Sequence, residues 1–256
     1  MSHYKIESLN ESNLENVYCC IRHYREEYLT DIADSLGYLK EKLIQNWRVF
    51  AAFDETGKSV AMAIVVPGSD PLSPVGNKDC HFLHCMDVNK EVRNKGIGTN
   101  LVKHMLKDVK AAKSKGLVVD CYGDYWMPDG FFIKLGFERV KSFPDHRVLV
   151  EKLAKDTEIE FAETAYKGDL PISGIQVDIQ YWTTCPVMLN SYRKVPKIVK
   201  NIEPQAVVRE RMINTWEDVY RWGSSGIFVN GKSVSSGPVK EEDLKRAIEA
   251  VKNKLP

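Results

Sequence analysis

The stretch from His81 to Val109 constrains this chain most. His81 to Val88 reads as a strand, Arg93-Asn94-Lys95-Gly96-Ile97-Gly98 is a loop with two glycines, and Leu101, Val102, Met105, Leu106 and Val109 then recur at helical spacing. A strand, a glycine loop and a helix in that order let backbone N–H groups approach an anion, and the helix start adds the positive end of its dipole. Gly96 and Gly98 permit close approach, Arg93 and Lys95 supply charge and Thr99 a hydroxyl, so the loop suits a pyrophosphate. A tight turn with solvated basic residues would read the same way, so the surroundings must decide.

Those surroundings are a mixed α/β pattern. Tyr4 to Leu9 reads as a strand, and Asn10 or Ser12 can cap a helix running through Tyr24. A second helix is expected over Leu36 to Asn46, then strands over Arg48 to Asp54 and Ser59 to Val66 joined by the turn Glu55-Thr56-Gly57-Lys58. The prolines and glycine of Asp70 to Gly76 make a loop before the strand at His81. After the glycine loop and its helix come a strand over Leu117 to Tyr122, a helix near Gly130 to Leu135 stopped by Gly136, and a strand near Arg147 to Leu153.

Between Ala154 and Gly174 the pattern dissolves into polar residues with Gly168, Pro171 and Gly174, which reads as a linker. A second unit follows: strand Ile175 to Trp182, helix Pro186 to Ile202 with Pro196 as a possible kink, strand Ala206 to Met212, helix Trp216 to Trp222, a hairpin through Asn230-Gly231, and an amphipathic helix Lys240 to Lys254. The 256 residues suffice for two domains, expected at 1–153 and 175–256 with 154–174 between them.

Lys and Arg number 36 against 35 Asp and Glu, so no overall positive field draws the chain to nucleic acid or an anionic membrane, and any anion site must be local. The longest apolar run, Val60 to Val66, is too short to span a bilayer, and Met1 to Glu7 lacks a leader pattern. The expectation is a cytoplasmic protein. Six cysteines, scattered and without a Cys-x-x-Cys pair, read as reduced thiols with no metal site.

The stretch Arg93-Asn94-Lys95-Gly96-Ile97-Gly98 resembles the core motif of the GCN5-related N-acetyltransferase (GNAT) family: Arg or Gln, two residues, Gly, one residue, then Gly or Ala. A second landmark of the family, an aromatic-rich helix ending in Gly-Phe, stands as Gly130-Phe131-Phe132-Ile133-Lys134-Leu135-Gly136-Phe137. The resemblance covers roughly residues 3 to 153. It implies a mixed, mostly antiparallel sheet flanked by helices and acetyl-CoA, or another acyl-CoA, as co-substrate. Backbone groups near Met86, Asp87 and Val88 would meet the pantetheine arm, and Arg93, Asn94, Lys95, Gly96, Ile97, Gly98 and Thr99 would hold the pyrophosphate.

The implied reaction is direct attack of an amine, on a small molecule or a protein, on the thioester. Such chemistry needs a proton acceptor, an oxyanion donor and sometimes an acid for the thiolate. Phe132 stands where the family often has a tyrosine acid, so either another group serves, with Tyr122 and Tyr125 nearest and Asp124 beside them, or the thiolate leaves unassisted. His84 leads as base, with His81, Asp87 and Asp120 behind it, and strand alternation predicts His84 and Met86 on one face and Asp87 on the other. Tyr24 to Leu39 and the loop at 67–80 are the segments that usually line the acceptor pocket, and Tyr28, Tyr38, Tyr125 and Trp126 could floor it.

In the second unit Cys185 falls between a strand and a helix, where a helix N-terminus lowers a thiol pKa and makes a reactive cysteine possible. Cys185-Pro186-Val187-Met188 resembles the Cys-Pro-x-Cys motif of the thioredoxin and glutaredoxin superfamily, and Gly226 to Lys232 with Gly237-Pro238 resembles that fold's closing hairpin. Met188 replaces the second thiol and Ser225 the proline before the closing strand, so the implied role is a monothiol, a gating element or a packing and homodimer surface. The pairing of the two units resembles bacterial proteins related to YoaP. The other classes carried forward are a coenzyme A-binding regulatory module without catalysis and a thiol protein acting through Cys185.

Overall fold

The computed structural model describes residues 4–24, 26–70, 72, 78–123, 126–142, 147–161, 166–170, 173–223, 225–235 and 237–253. They form two compact units, Met1–His23 with Leu39–Ala162 and Tyr24–Tyr38 with Glu163–Pro256.

The first unit is built on a seven-stranded sheet of β1 (Lys5–Leu9), β2 (Arg48–Phe53), β3 (Ser59–Pro67), β4 (His81–Val88), β5 (Gly116–Cys121), β6 (Glu138–Ser142) and β7 (Arg147–Lys152), in the order β1-β2-β3-β4-β5-β7-β6. The pairing is antiparallel throughout except between β4 and β5. This is the mixed, mostly antiparallel sheet flanked by helices that the resemblance implies. The long helix α1 (Leu29–Ile44) carries residues of both units. Helix α2 (Ile97–Ala111) buries Ile97, Leu101, Val102, Met105 and Val109 in a core shared with Phe50, Ala63, Leu83, Leu117 and Leu149. Burial of each such aliphatic contributes about 1.5–3 kcal/mol, which fixes α2 on the sheet. The short α3 (Asp129–Ile133) ends where Gly136, at φ 100°, turns the chain so that Gly136 N–H donates to Ile133 O and Phe137 N–H to Phe132 O.

Three expectations are corrected here. The helix expected from Asn10 through Tyr24 is broken into 3₁₀ turns at Leu14–Asn16 and Cys19–Tyr24. Asn10 Oδ1 takes both the Ser12 N–H and hydroxyl, and Asn13 Oδ1 takes the Asn10 N–H, local bonds that compete with a continuous helix. Helix α1 starts at Leu29, seven residues before the expected Leu36, because Asp31, Ile32 and Ser35 are buried on its inner side. Strand β6 had no sequence signal: all five of its residues are exposed, and backbone pairing to β7 alone makes it a strand.

The second unit holds a four-stranded sheet ordered β11-β10-β8-β9, from β8 (Gln176–Tyr181), β9 (Val207–Met212), β10 (Gly226–Val229) and β11 (Lys232–Ser235). Strand β8 runs parallel to β9 and antiparallel to β10. Helices α4 (Pro186–Ile202) and α6 (Glu241–Lys252) supply Tyr192, Val195, Val199, Leu244 and Ile248 to a core with Val177, Ile179, Ile227 and Val229. Helix α5 (Trp216–Trp222) opens with a capping box, Thr215 Oγ1 accepting from Asp218 N–H and Asp218 from Thr215 N–H. Pro196 lies inside α4 and does not end it.

The other face of β8 is polar and still buried. Asp178 is paired with Arg211, accepts from Tyr166 Oη at 2.8 Å and from Gln176 Nε2 at 2.7 Å, and Gln176 also donates to Asp169 O at 2.8 Å. These bonds tie Tyr166 and Asp169 onto the sheet.

Candidate functional site

Strands β4 and β5 are in register at His81–Leu117, Phe82–Val118 and Leu83–Val119, and then part, although β4 runs on to Val88 and β5 to Cys121. On its other side β4 stays paired to β3 as far as Ala61–Val88. Alternate residues between His84 and Val88 therefore turn their N–H and C=O groups toward a gap inside the sheet, where they need partners. A bulge marks the divergence: Ile64 opposes Cys85 and Val65 opposes Leu83, so His84 is the extra residue.

The bulge overturns the expected alternation. Leu83 and Met86 both lie in the core under α2, while Cys85 Sγ stands 4.0 Å from Met62 Sδ on the other face, which Asp87 shares as the partner of Met62. Met86 is thus separated from His84, whose ring lies on the Phe82 side, 6.4 Å from Phe82 and 6.3 Å from Trp47 between centroids. One inserted residue reverses the phase of everything after it.

The loop after β4 needs left-handed backbone at Asn94 (φ 62°) and Gly96 (φ 80°). Gly96 is the N-cap of α2 and brings no side-chain cap, and the first turn holds no acid, so the N–H groups at the helix start face outward uncancelled. A Cβ on Gly98 would stand 3.3 Å from Phe131 Cζ and 3.4 Å from Met86 Cε, so glycine here lets α2, β4 and α3 close up. Arg93 Nε donates to Val88 O at 2.8 Å, and Nη2 lies 3.5 Å from Asp87 Oδ1. Arg93 therefore braces the end of β4 while its half-exposed guanidinium keeps an edge for an anion. Burial pushes the Asp87 carboxyl up, with Arg93 pulling against it. Left-handed turns, outward N–H groups, a basic rim and an open strand edge suit a long diphosphate-bearing thioester.

Burial holds both His84 and His81 down to about 4, with Arg48 adding to the effect on His81. Unfolded, each imidazole takes its proton near 6.5, so between pH 6.5 and 4 the unfolded chain binds more protons and stability falls as pH drops. The cost is about 3 kcal/mol for His84 and less for the more exposed His81, complete below about pH 4. Urea midpoints between pH 7 and 4.5 check this: a His84→Gln variant should lose stability less steeply, by about 1 kcal/mol per pH unit. Parallel curves would contradict it.

Tyr122 follows β5, bridges to Trp126 through its N–H at 3.1 Å, and stacks at 5.5 Å on that ring. Asp124 and Tyr125 lie outside the described residues. Phe132 points into the core, 5.0 Å from Phe131 and 5.3 Å from Phe137 between ring centroids. Asp120 is buried on β5. In the second unit Cys185 is the N-cap of α4 with Pro186 at its first turn. Burial nevertheless pushes the Cys185 thiol up, outweighing the Val187 and Met188 N–H groups that pull it down, the reverse of the expected lowering. Sequence reasoning missed the bulge and the Gly98–Met86–Phe131 contact, neither of which has a local signal.

Residues 17–137 match the model of the acetyltransferase (GNAT) family. Among solved structures, the chain is similar to a GNAT-family acetyltransferase from Staphylococcus aureus Mu50 at 19% identity and TM-score 0.47, covering 59% of this chain and 100% of that one. It is similar to an IAA acetyltransferase from Bacillus cereus at 13% identity and TM-score 0.41, covering 59% and 100%. It is also similar to the PaiA N-acetyltransferase from Thermoplasma acidophilum, solved in complex with coenzyme A, at 15% identity and TM-score 0.43, covering 59% and 99%. No curated protein matches the chain.

Proposed function

We propose that the GNAT acetyltransferase domain of residues 17–137 transfers an acetyl group from acetyl-CoA, the donor its family uses, to a primary amine by direct attack on the thioester. The observation that carries this reading is the gap between β4 and β5 opening beside the glycine loop at the start of α2. Backbone groups of Met86, Asp87 and Val88 would hold the pantetheine arm in extended form, and residues 93–99 the pyrophosphate. In the reaction an N–C bond forms as the C–S bond breaks, the amine gives up a proton and the thiolate leaves.

His84, neutral above about pH 5, is assigned to pass the amine's proton to water; an imidazole held near 4 relays a proton rather than keeping it. Phe132 gives no proton, so Tyr122 is the described candidate for protonating the thiolate. The packing of Phe132 also favours a second reading, a coenzyme A-binding module without turnover. For the remaining chain we retain domains at 1–153 and 175–256 joined by 154–174. The order of β8 to α6, with β8 between a parallel and an antiparallel neighbour, supports a thioredoxin-like second domain.

Release of free thiol from acetyl-CoA in the presence of a panel of primary amines tests the reading. Arg93→Ala should cost about 1–3 kcal/mol, roughly 5- to 150-fold in kcat/KM, through loss of a charge-assisted phosphate contact. Cys185→Ala should leave turnover intact. Binding of acetyl-CoA without turnover by any amine would favour the module, and loss of activity in Cys185→Ala would favour the thiol protein.

A further inference from the structure

Charge is unevenly placed in this chain. Residues 92–119 hold seven basic residues and one acid, Asp108, in a protein whose net charge is +1. Asp108 is paired with Arg48 at 2.7 Å, Arg93 faces Asp87, and Lys115 is shared by Asp79 and Asp156. Lys103, Lys107 and Lys110 are left on the exposed face of α2, opposite Leu101, Met105 and Val109, with no ion-pair partner among the described residues. Their spacing of four and three residues makes one stripe about 10 Å long. Exposed Lys95 and Lys113 flank it at the two ends of the helix. Like charges at this spacing work against the helix by a few tenths of a kcal/mol each.

We propose that this lysine ridge docks an acidic segment of a protein, and that a protein presenting its amine near such a segment is the preferred acceptor. The second half rests on the acyltransfer reading above; the docking itself does not. Three features select a protein among anionic partners. The stripe has no exposed aromatic to stack on bases and no arginine to grip phosphates bidentately. None of the large exposed apolar side chains falls within residues 92–119, as an interfacial membrane helix would require. Lysine ammonium groups on flexible stems suit a row of carboxylates, and a helix with acids at the same spacing matches the stripe point for point.

The test uses the full chain and two labelled peptides, one with a single lysine followed by six glutamates, the other with glutamines in their place, and ethanolamine as the small amine. By fluorescence anisotropy at low salt the glutamate peptide should bind at least 10-fold tighter than the glutamine peptide. That difference should vanish at high salt and in the K103E/K107E/K110E variant, which should bind acetyl-CoA and use ethanolamine as the wild type does. Equal binding of both peptides, or an undiminished preference in the triple variant, overturns the proposal. Tighter binding of a 20-base-pair DNA duplex or of phosphatidylserine vesicles at physiological salt also overturns it. A peptide preference without faster transfer to the glutamate peptide than to the glutamine peptide leaves the docking surface standing and overturns the acceptor half of the proposal.

Discussion

A Gly98→Val variant is expected to stay folded and to lose about 100-fold or more in kcat/KM for acetyl-CoA, the scale of a reacting group misplaced by about 1 Å. The added Cβ alone would meet Phe131 Cζ at 3.3 Å and Met86 Cε at 3.4 Å, and the branched γ-carbons reach further. Either α2 lifts away from β4 and α3, or Phe131 and Met86 turn toward the gap beside β4. The overpacking costs roughly 1–3 kcal/mol of stability, small enough for the fold to survive. Gly98→Ala should show the same effect more weakly, since a single methyl asks its neighbours to give only by tenths of an ångström. An unchanged kcat/KM in Gly98→Val would mean that the start of α2 does not face the donor.

Phe132→Ala should have the largest effect on stability, about 3–5 kcal/mol, because it removes a fully buried ring from between Phe131 and Phe137 and leaves a cavity. By thermal unfolding this amounts to on the order of 10 °C for a unit of this size. Phe132→Tyr separates packing from chemistry. If the ring is structural, the new hydroxyl is buried without a planned partner, costs about 1–3 kcal/mol and brings no gain in turnover. A rise in kcat for Phe132→Tyr would show that the position opens on the reacting thiolate and contradict the packing seen here.

How much of this was legible in the sequence follows from which residues carry local signals. The β4–loop–α2 unit was readable because its apolar positions change period from two to three or four across a glycine loop, and α2 indeed buries Leu101, Val102, Met105 and Val109. The His84 bulge was not, since inserting one residue into His81–Val88 changes no residue type, and only the mismatch with β3 reveals it. Strand β6 escaped because five exposed residues carry no alternation. The first half of α1 escaped because Thr30, Asp31 and Ser35 are weak helix formers, and the burial of Asp31 and Ser35 is not visible in the sequence. The N-cap position of Cys185 could be read from Pro186, but the direction of its pKa depends on burial, which the sequence does not encode locally.

On the proposed function, acetyl-CoA binds along the open edge of β4 with its pyrophosphate on the loop at residues 93–99. Calorimetric titration of the wild type and of folded Gly98→Val with acetyl-CoA tests it most directly. A one-to-one, micromolar isotherm is expected for the wild type and a strongly weakened one for the variant. No heat of binding from the wild type, or equal affinity in both proteins, would contradict it.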